Sequence, residues 1–250
     1  MIPYELLKAE AASHPYPLLF ATISGAHLYG FPSPDSDFDL RGVHILPVEE
    51  AVGLLPKRET ISVEAMRGAV ELDLVTHDIS KFFGMLLKRN GYVLEQLYSP
   101  LIVQTSAKHD ELKQLVPGCI TRNHAHHYLG FADAQWKLFR KEDPPRVKPL
   151  LYLYRVLLTG IHMMRTGRVE ANLLTLNQDF RLPYIDELVS RKVTGAERSR
   201  LETAELDFHE AEYARLAAVL EEAGTQSSLP AEASCRDELN DLLVRIRLPL

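Results

Sequence analysis

Residues 23 to 43 read ISGAHLYGFPSPDSDFDLRGV, and the spacing of Asp35, Asp37 and Asp39 within this stretch decides how the chain folds. Side chains on a strand alternate between faces, so acids at every second position share one side while Phe38 and Leu40 enter a core. Like charges held that close repel, which leaves two readings: a cation sits between them, or they stay solvated in a turn. PSPDSD has the Pro, Ser and Asp content of a turn, so the second reading stands beside the first.

Working outward, PLLFATISG upstream is an apolar strand ending at Ser24-Gly25. A glycine at that point lets the backbone come close to a phosphate. Downstream, GAVELDLVTHDI predicts a strand with Val70, Leu72 and Leu74 on one face and Glu71, Asp73 and Val75 on the other. Asp37 and Asp39, joined by Asp73 or Glu71 from a neighbouring strand, would form a three-carboxylate cluster of the kind that holds one or two Mg²⁺ ions beside a polyphosphate. Arg41 shares the face of Asp37 and Asp39, and either contacts phosphate or pairs with an acid.

The rest of the front half predicts a short helix over 3–12, helical turns after Pro47 and a strand in RETISVE. A helix capped by Asp78 follows, broken at Asn90-Gly91, and then a second helix in YVLEQLYS. Beyond Pro117-Gly118 only helical periods remain, over 121–141, 146–166, 182–192, 195–223 and 235–247. The expected class is α+β: a mixed sheet with flanking helices over residues 1–116, then a helical domain over 117–250.

A chain of 250 residues with 46% hydrophobic content has ample material for a folded core. The net charge of −6 argues against a protein that coats nucleic acid indiscriminately. The charge is unevenly spread: Arg122 to Arg168 holds nine Lys/Arg against three Asp/Glu, whereas Thr194 to Asp241 holds four against twelve. The first stretch could hold an anion or a short single-stranded end. Cys119 and Cys235 lie far apart without a C-x-x-C pattern and are expected as structural thiols. The sequence opens without a basic leader and contains no apolar run of membrane-spanning length, so a cytoplasmic protein is expected.

One helical segment carries a signal of its own. Over 146–166, Lys148, Tyr152, Arg155, Thr159 and His162 fall within roughly 40° of one line, while almost everything else from Leu150 to Met164 is apolar. A narrow polar stripe on a buried rod is expected to line a cleft, where Lys148 and Arg155 can meet phosphate oxygens. His124, His126 and His127 point in three directions on a helix and do not make a zinc site.

The segment SGAHLYGFPSPDSDFDLRGV resembles the signature of the DNA polymerase β nucleotidyltransferase superfamily. More narrowly, it is similar to the bacterial predicted nucleotidyltransferases that include the RNA-ligase-associated branch; DLVTHDISKFFGMLLKRN, LEQLYSP and KPLLYLYRVLLTG extend the likeness from about residue 18 to residue 170. The resemblance implies a polymerase-β-like catalytic domain that moves a nucleoside monophosphate from an NTP, ATP first among them, to a hydroxyl acceptor such as an RNA end. It assigns Asp37, Asp39 and Asp73 to catalysis and to Mg²⁺ or Mn²⁺, and Gly25 to the phosphate loop. Ser24, Arg41, Lys148, Tyr152 and Arg155 join Gly25 as expected nucleotide-binding residues. The family usually has serine after that glycine; here Ala26 stands there, so a hydroxyl contact to the triphosphate is missing unless Ser24 supplies it. Two rivals stay open: an inactive nucleotide- or RNA-binding relative, and a transferase acting on a protein or small-molecule hydroxyl.

Overall fold

The computed structural model describes residues 2–55, 57–141, 145–194 and 203–248. The chain forms two compact units. The first comprises Met1–Leu28, Asp37–Cys119 and Glu232–Leu250; the second comprises Tyr29–Ser36 and Ile120–Ala231.

The first unit is built on a five-stranded mixed sheet of β1 (Leu18–Ile23), β2 (Phe38–His44), β3 (Thr60–Arg67), β4 (Val70–Asp78) and β5 (Ile102–Gln104), in the order β3-β4-β2-β1-β5. Only β2 and β4 run parallel. All six residues of β1 are buried, because it lies between β2 and β5 with both faces covered. On one face Leu18, Ile23, Leu40, Leu72 and Leu74 pack with Leu7 and Ala11 of α1 (Tyr4–Ala12). Three further helices, α4 (Ile79–Leu87), α5 (Gly91–Tyr98) and α6 (Ala107–Leu115), contact β4, β2 and β1, and Phe20 of β1 stacks on His109 of α6 at 4.3 Å. Strand β3 is an edge whose exposed charges, Arg67 paired with Glu10 among them, discourage pairing with another chain. Short helices α2 (Gly25–Tyr29) and α3 (Val48–Val52) complete the front half.

Asp78 caps α4 by accepting from the Ser80 amide at 3.0 Å, as the sequence predicts. It also accepts two bonds at 2.6 Å from Arg247 near the end of α12 (Arg236–Arg247). That pair gives a physical reason why the last helix belongs with the first unit, so the compact units do not follow the single cut expected between 116 and 117.

The second unit is helical: α7 (His124–Lys141), α8 (Val147–Thr166), α9 (Leu173–Phe180), α10 (Pro183–Val193) and α11 (Thr203–Gln226). Helix α8 is buried along nearly its whole length and touches each of the other four. Gly160 permits this: a β-carbon there would lie 2.9 Å from Tyr128 and 3.0 Å from Leu220. The expected helix over 195–223 falls partly outside the described residues, and α11 is its described part. No described helix is long and apolar enough to cross a membrane.

Two expectations need correction. Asp35 and Asp37 lie before β2, so the acids do not form one run along a strand. The Ser36 amide donates to the Ser33 carbonyl at 3.0 Å and the Ser33 amide to Ser36 Oγ at 2.9 Å, a turn that takes up Asp35. Elements β5, α6 and α9 are not marked in the sequence reading; the three residues of β5 are too few to show a period.

Candidate active site

Strand β1 is followed by Ser24, whose amide donates to the Asp39 carbonyl at 2.8 Å and so draws the next residue against β2. Gly25 then takes φ +62°, and a β-carbon on it would lie 1.7 Å from Asp39 Oδ2. The Asp39 carboxylate therefore occupies the space that any other residue at position 25 would fill. Ala26 is buried, and the neighbouring Ser24 is fully buried with a hydroxyl that has no hydrogen-bond partner among the described residues.

The parallel register sets Asp39 directly beside Asp73. Arg41, two residues on and on the same face, reaches back between them: its Nη2 donates to Asp39 Oδ1 at 2.5 Å and to Asp73 Oδ2 at 2.7 Å. Nη1 donates to the Asp73 carbonyl at 2.6 Å and the Leu40 carbonyl at 3.2 Å, and Nε donates to Tyr92 Oη at 3.0 Å. The guanidinium thus directs its donors to protein acceptors, and the residue is 8% exposed. Burial opposes its charge, but Tyr92 and the Asp39 carboxylate outweigh that and hold its pKa above the ordinary value. Of the two readings of Arg41, the structure displays the pairing with acids.

Asp73, half-exposed, shares its face of β4 with Glu71 as strand parity requires. Only Asp73 is positioned beside Asp39. Asp37, Glu64, Glu71 and Asp73 line an open acidic cavity of about 410 Å³. Among the described residues no three His, Cys, Asp or Glu side chains are gathered closely enough to hold a metal.

In the second unit, the polar stripe of α8 is graded in burial. Lys148 is exposed, Tyr152 is half-buried and Arg155 is 2% exposed. Tyr152 meets the rings of Tyr29 and Phe31 edge-on at 5.5 and 5.7 Å, and the Arg155 guanidinium lies 3.9 Å over the Tyr29 ring. Arg155 is accordingly part of a packed aromatic cluster.

Two residues that the sequence does not point to enter these networks. Tyr92, in the first turn of α5, anchors Arg41 across 51 positions. Lys192, nearly buried in α10, donates to Ser33 Oγ at 2.9 Å across 159 positions. Asp35 beside it is held below the usual carboxylate range by its hydrogen bond with Ser33, with Lys192 and Lys148 adding smaller contributions. Nothing local in the sequence distinguishes Tyr92 or Lys192 from an ordinary helix residue.

Comparison with known proteins places this geometry in a family. An uncharacterised protein of Methanocaldococcus jannaschii is 35% identical over 156 residues, which is 62% of this chain and 63% of that protein's length. An uncharacterised protein of Bacillus subtilis is 24% identical over 204 residues, 78% of this chain and 72% of that protein. Among solved structures, a nucleotidyltransferase-like protein from Exiguobacterium sibiricum is 13% identical, covering 88% of this chain and 73% of that one, with a TM-score of 0.35. That likeness is too remote to carry weight. The profile of one family matches residues 3–245, nearly the whole chain. On that match, and with an α+β fold in which the D-x-D segment leads into β2, the chain belongs to RlaP, the RNA repair pathway DNA polymerase beta family of nucleotidyltransferases.

Proposed function

We propose that the protein transfers a nucleoside monophosphate from an NTP, ATP first among them, to a hydroxyl, with an RNA end as the acceptor. The observation that carries this reading is the convergence of Asp39 and Asp73 on one cationic nitrogen beside Gly25. A pair of carboxylates that already accepts a cation at 2.5 and 2.7 Å has the donor chemistry for a hard divalent ion. Asp39 and Asp73 would supply the first oxygen ligands of Mg²⁺ or Mn²⁺, with Asp37 drawn in as the ion binds, and the ion would supply charge neutralisation on the triphosphate and acidify the attacking hydroxyl.

The chain's own residues have separate tasks. Gly25 keeps the Asp39 carboxylate aligned by leaving room for it. Arg41, anchored by Tyr92 and the Leu40 and Asp73 carbonyls, holds both carboxylates in register as a positioning residue. Asp73 Oδ2 would take the proton of the acceptor hydroxyl. The RNA acceptor is supported by the family's RNA repair description and by the basic stretch from Arg122 to Arg168.

The test is transfer of label from α-phosphate-labelled NTP, with Mg²⁺ or Mn²⁺, to short single-stranded RNA, a protein mixture and small hydroxyl compounds. Asp39→Asn is expected to lower transfer by about 100-fold or more. Tight nucleotide binding without transfer to any acceptor would favour the rival reading of an inactive binding relative, which rests on the buried methyl of Ala26 where the family usually has serine.

A further inference from the structure

Cys119 and Cys235 are separated by 116 positions, yet their sulfurs lie 2.8 Å apart. No disulfide joins them; Cys119 is fully buried and Cys235 is 5% exposed. The backbone holds them there. The Ser234 amide donates to the Gly118 carbonyl at 2.9 Å, and a β-carbon on Gly118 would lie 2.8 Å from Cys235 Cβ. Cys119 closes a short 3₁₀ turn, Val116–Cys119, and Cys235 is the N-cap residue of α12. Ordinary core packing does not need two sulfurs at this distance, whereas a disulfide at roughly 2.05 Å is less than an ångström of closure away.

We propose that Cys119 and Cys235 form a peroxide-sensitive dithiol that closes to a reversible disulfide and staples the start of α12 to the first unit. Cys235 is the attacking sulfur. It is the more exposed of the two, it sits at a helix N-terminus that favours a thiolate, and its sulfur is hydrogen-bonded to that of Cys119. That bond raises the pKa of Cys119 and lowers that of Cys235.

In the first step the Cys235 thiolate attacks one oxygen of hydrogen peroxide, the O–O bond breaks, and hydroxide leaves with a proton as water, giving a sulfenic acid. In the second step the Cys119 sulfur attacks Cys235 Sγ, the S–O bond breaks, and a second water leaves. Two thiols and one peroxide thus become one disulfide and two waters. The far end of α12 is already held, by Arg247 on Asp78 and by Arg245 on Glu111, so the disulfide would secure the helix at both ends.

The test is a thiol titration and intact mass of the wild-type protein before and after hydrogen peroxide, then after dithiothreitol. We expect both thiols to vanish, with the mass falling by two hydrogens and the monomer retained. Dithiothreitol should restore them, and the oxidised form should melt about 5–10 °C higher, since the closed loop spans nearly half of the chain. Cys119→Ser should stop at a Cys235 sulfenic acid that a dimedone probe captures. Thiols that still titrate after peroxide, a mass gain of oxygen without a cross-link, or disulfide-linked dimers would each overturn the proposal.

Discussion

Arg41 and Arg155 are both buried arginines, one in each unit, and their surroundings differ in kind. Arg41 sits between two carboxylates that strand register brings together, with Tyr92 and two carbonyls taking its other donors. Arg155 lies on a helix and spreads its guanidinium over the face of Tyr29. The sheet arginine neutralises charges that would otherwise repel. The helix arginine contributes to packing. A basic residue on a polar line is a candidate ligand only until its own neighbours are counted.

The largest effect is expected at Arg41. Arg41→Ala leaves Asp39 and Asp73 facing each other without a cation, so unfolding in urea should reveal a loss of about 3–5 kcal/mol, the cost of removing one partner from a buried ionic cluster. A loss under about 1 kcal/mol would mean that the network behaves like an exposed pair. Added Mn²⁺ should recover part of the stability in this variant, which a purely steric role for Arg41 would not allow.

At Arg155 the narrow polar stripe predicts a contact to phosphate oxygens. Burial changes that. Arg155→Ala should cost about 2–3 kcal/mol in folding, through lost packing and the lost cation–π contact, and thermal melting would detect it. An unchanged melting temperature would return Arg155 to the candidate ligands.

The two units should also weaken together in acid. His109 in the first unit and His209 in the second are almost fully enclosed, and desolvation lowers each pKa from 6.5 to about 4. The unfolded chain therefore binds more protons between those values, so stability is complete above pH 6.5 and falls progressively toward pH 4. Urea midpoints measured at pH 7 and pH 5 test the direction, and His109→Gln should flatten the slope.

A smaller effect sharpens the reading of the turn. Gly25→Ala must push the Asp39 carboxylate aside and hold alanine at a left-handed φ, costing about 1–2 kcal/mol in stability. Transfer activity should fall along with it. Loss of activity without loss of stability would mean that Asp39 moves without disturbing Arg41.

Much of this site was legible. Alternation in GAVELDLVTHDI puts Asp73 and Glu71 on one face, and the same rule puts Arg41 with Asp39. Alternation misled at Asp35 and Asp37, because Pro34 and the hydrogen bonds between Ser33 and Ser36 make a turn where the acids alone imitate a strand. The choice of Asp73 over Glu71 was not readable, since it depends on how β4 slides along β2. Tyr92, Lys192 and the paired cysteines were equally hidden, because each meets its partner across 51 to 159 positions of chain.

Local facts are written in the sequence: most of the strand and helix segments, the apolar faces, the turn at Gly25 and the acids near it. These depend on neighbours within a few residues, where steric and periodic rules act directly. The tertiary structure decided which charges meet. It put Arg41 between Asp39 and Asp73, turned Arg155 toward Tyr29, brought Cys119 to Cys235 and tied α12 to the first unit through Asp78. Electrostatic pairing and thiol chemistry depend on distances of a few ångströms, and across a long chain only strand register and helix packing set such distances.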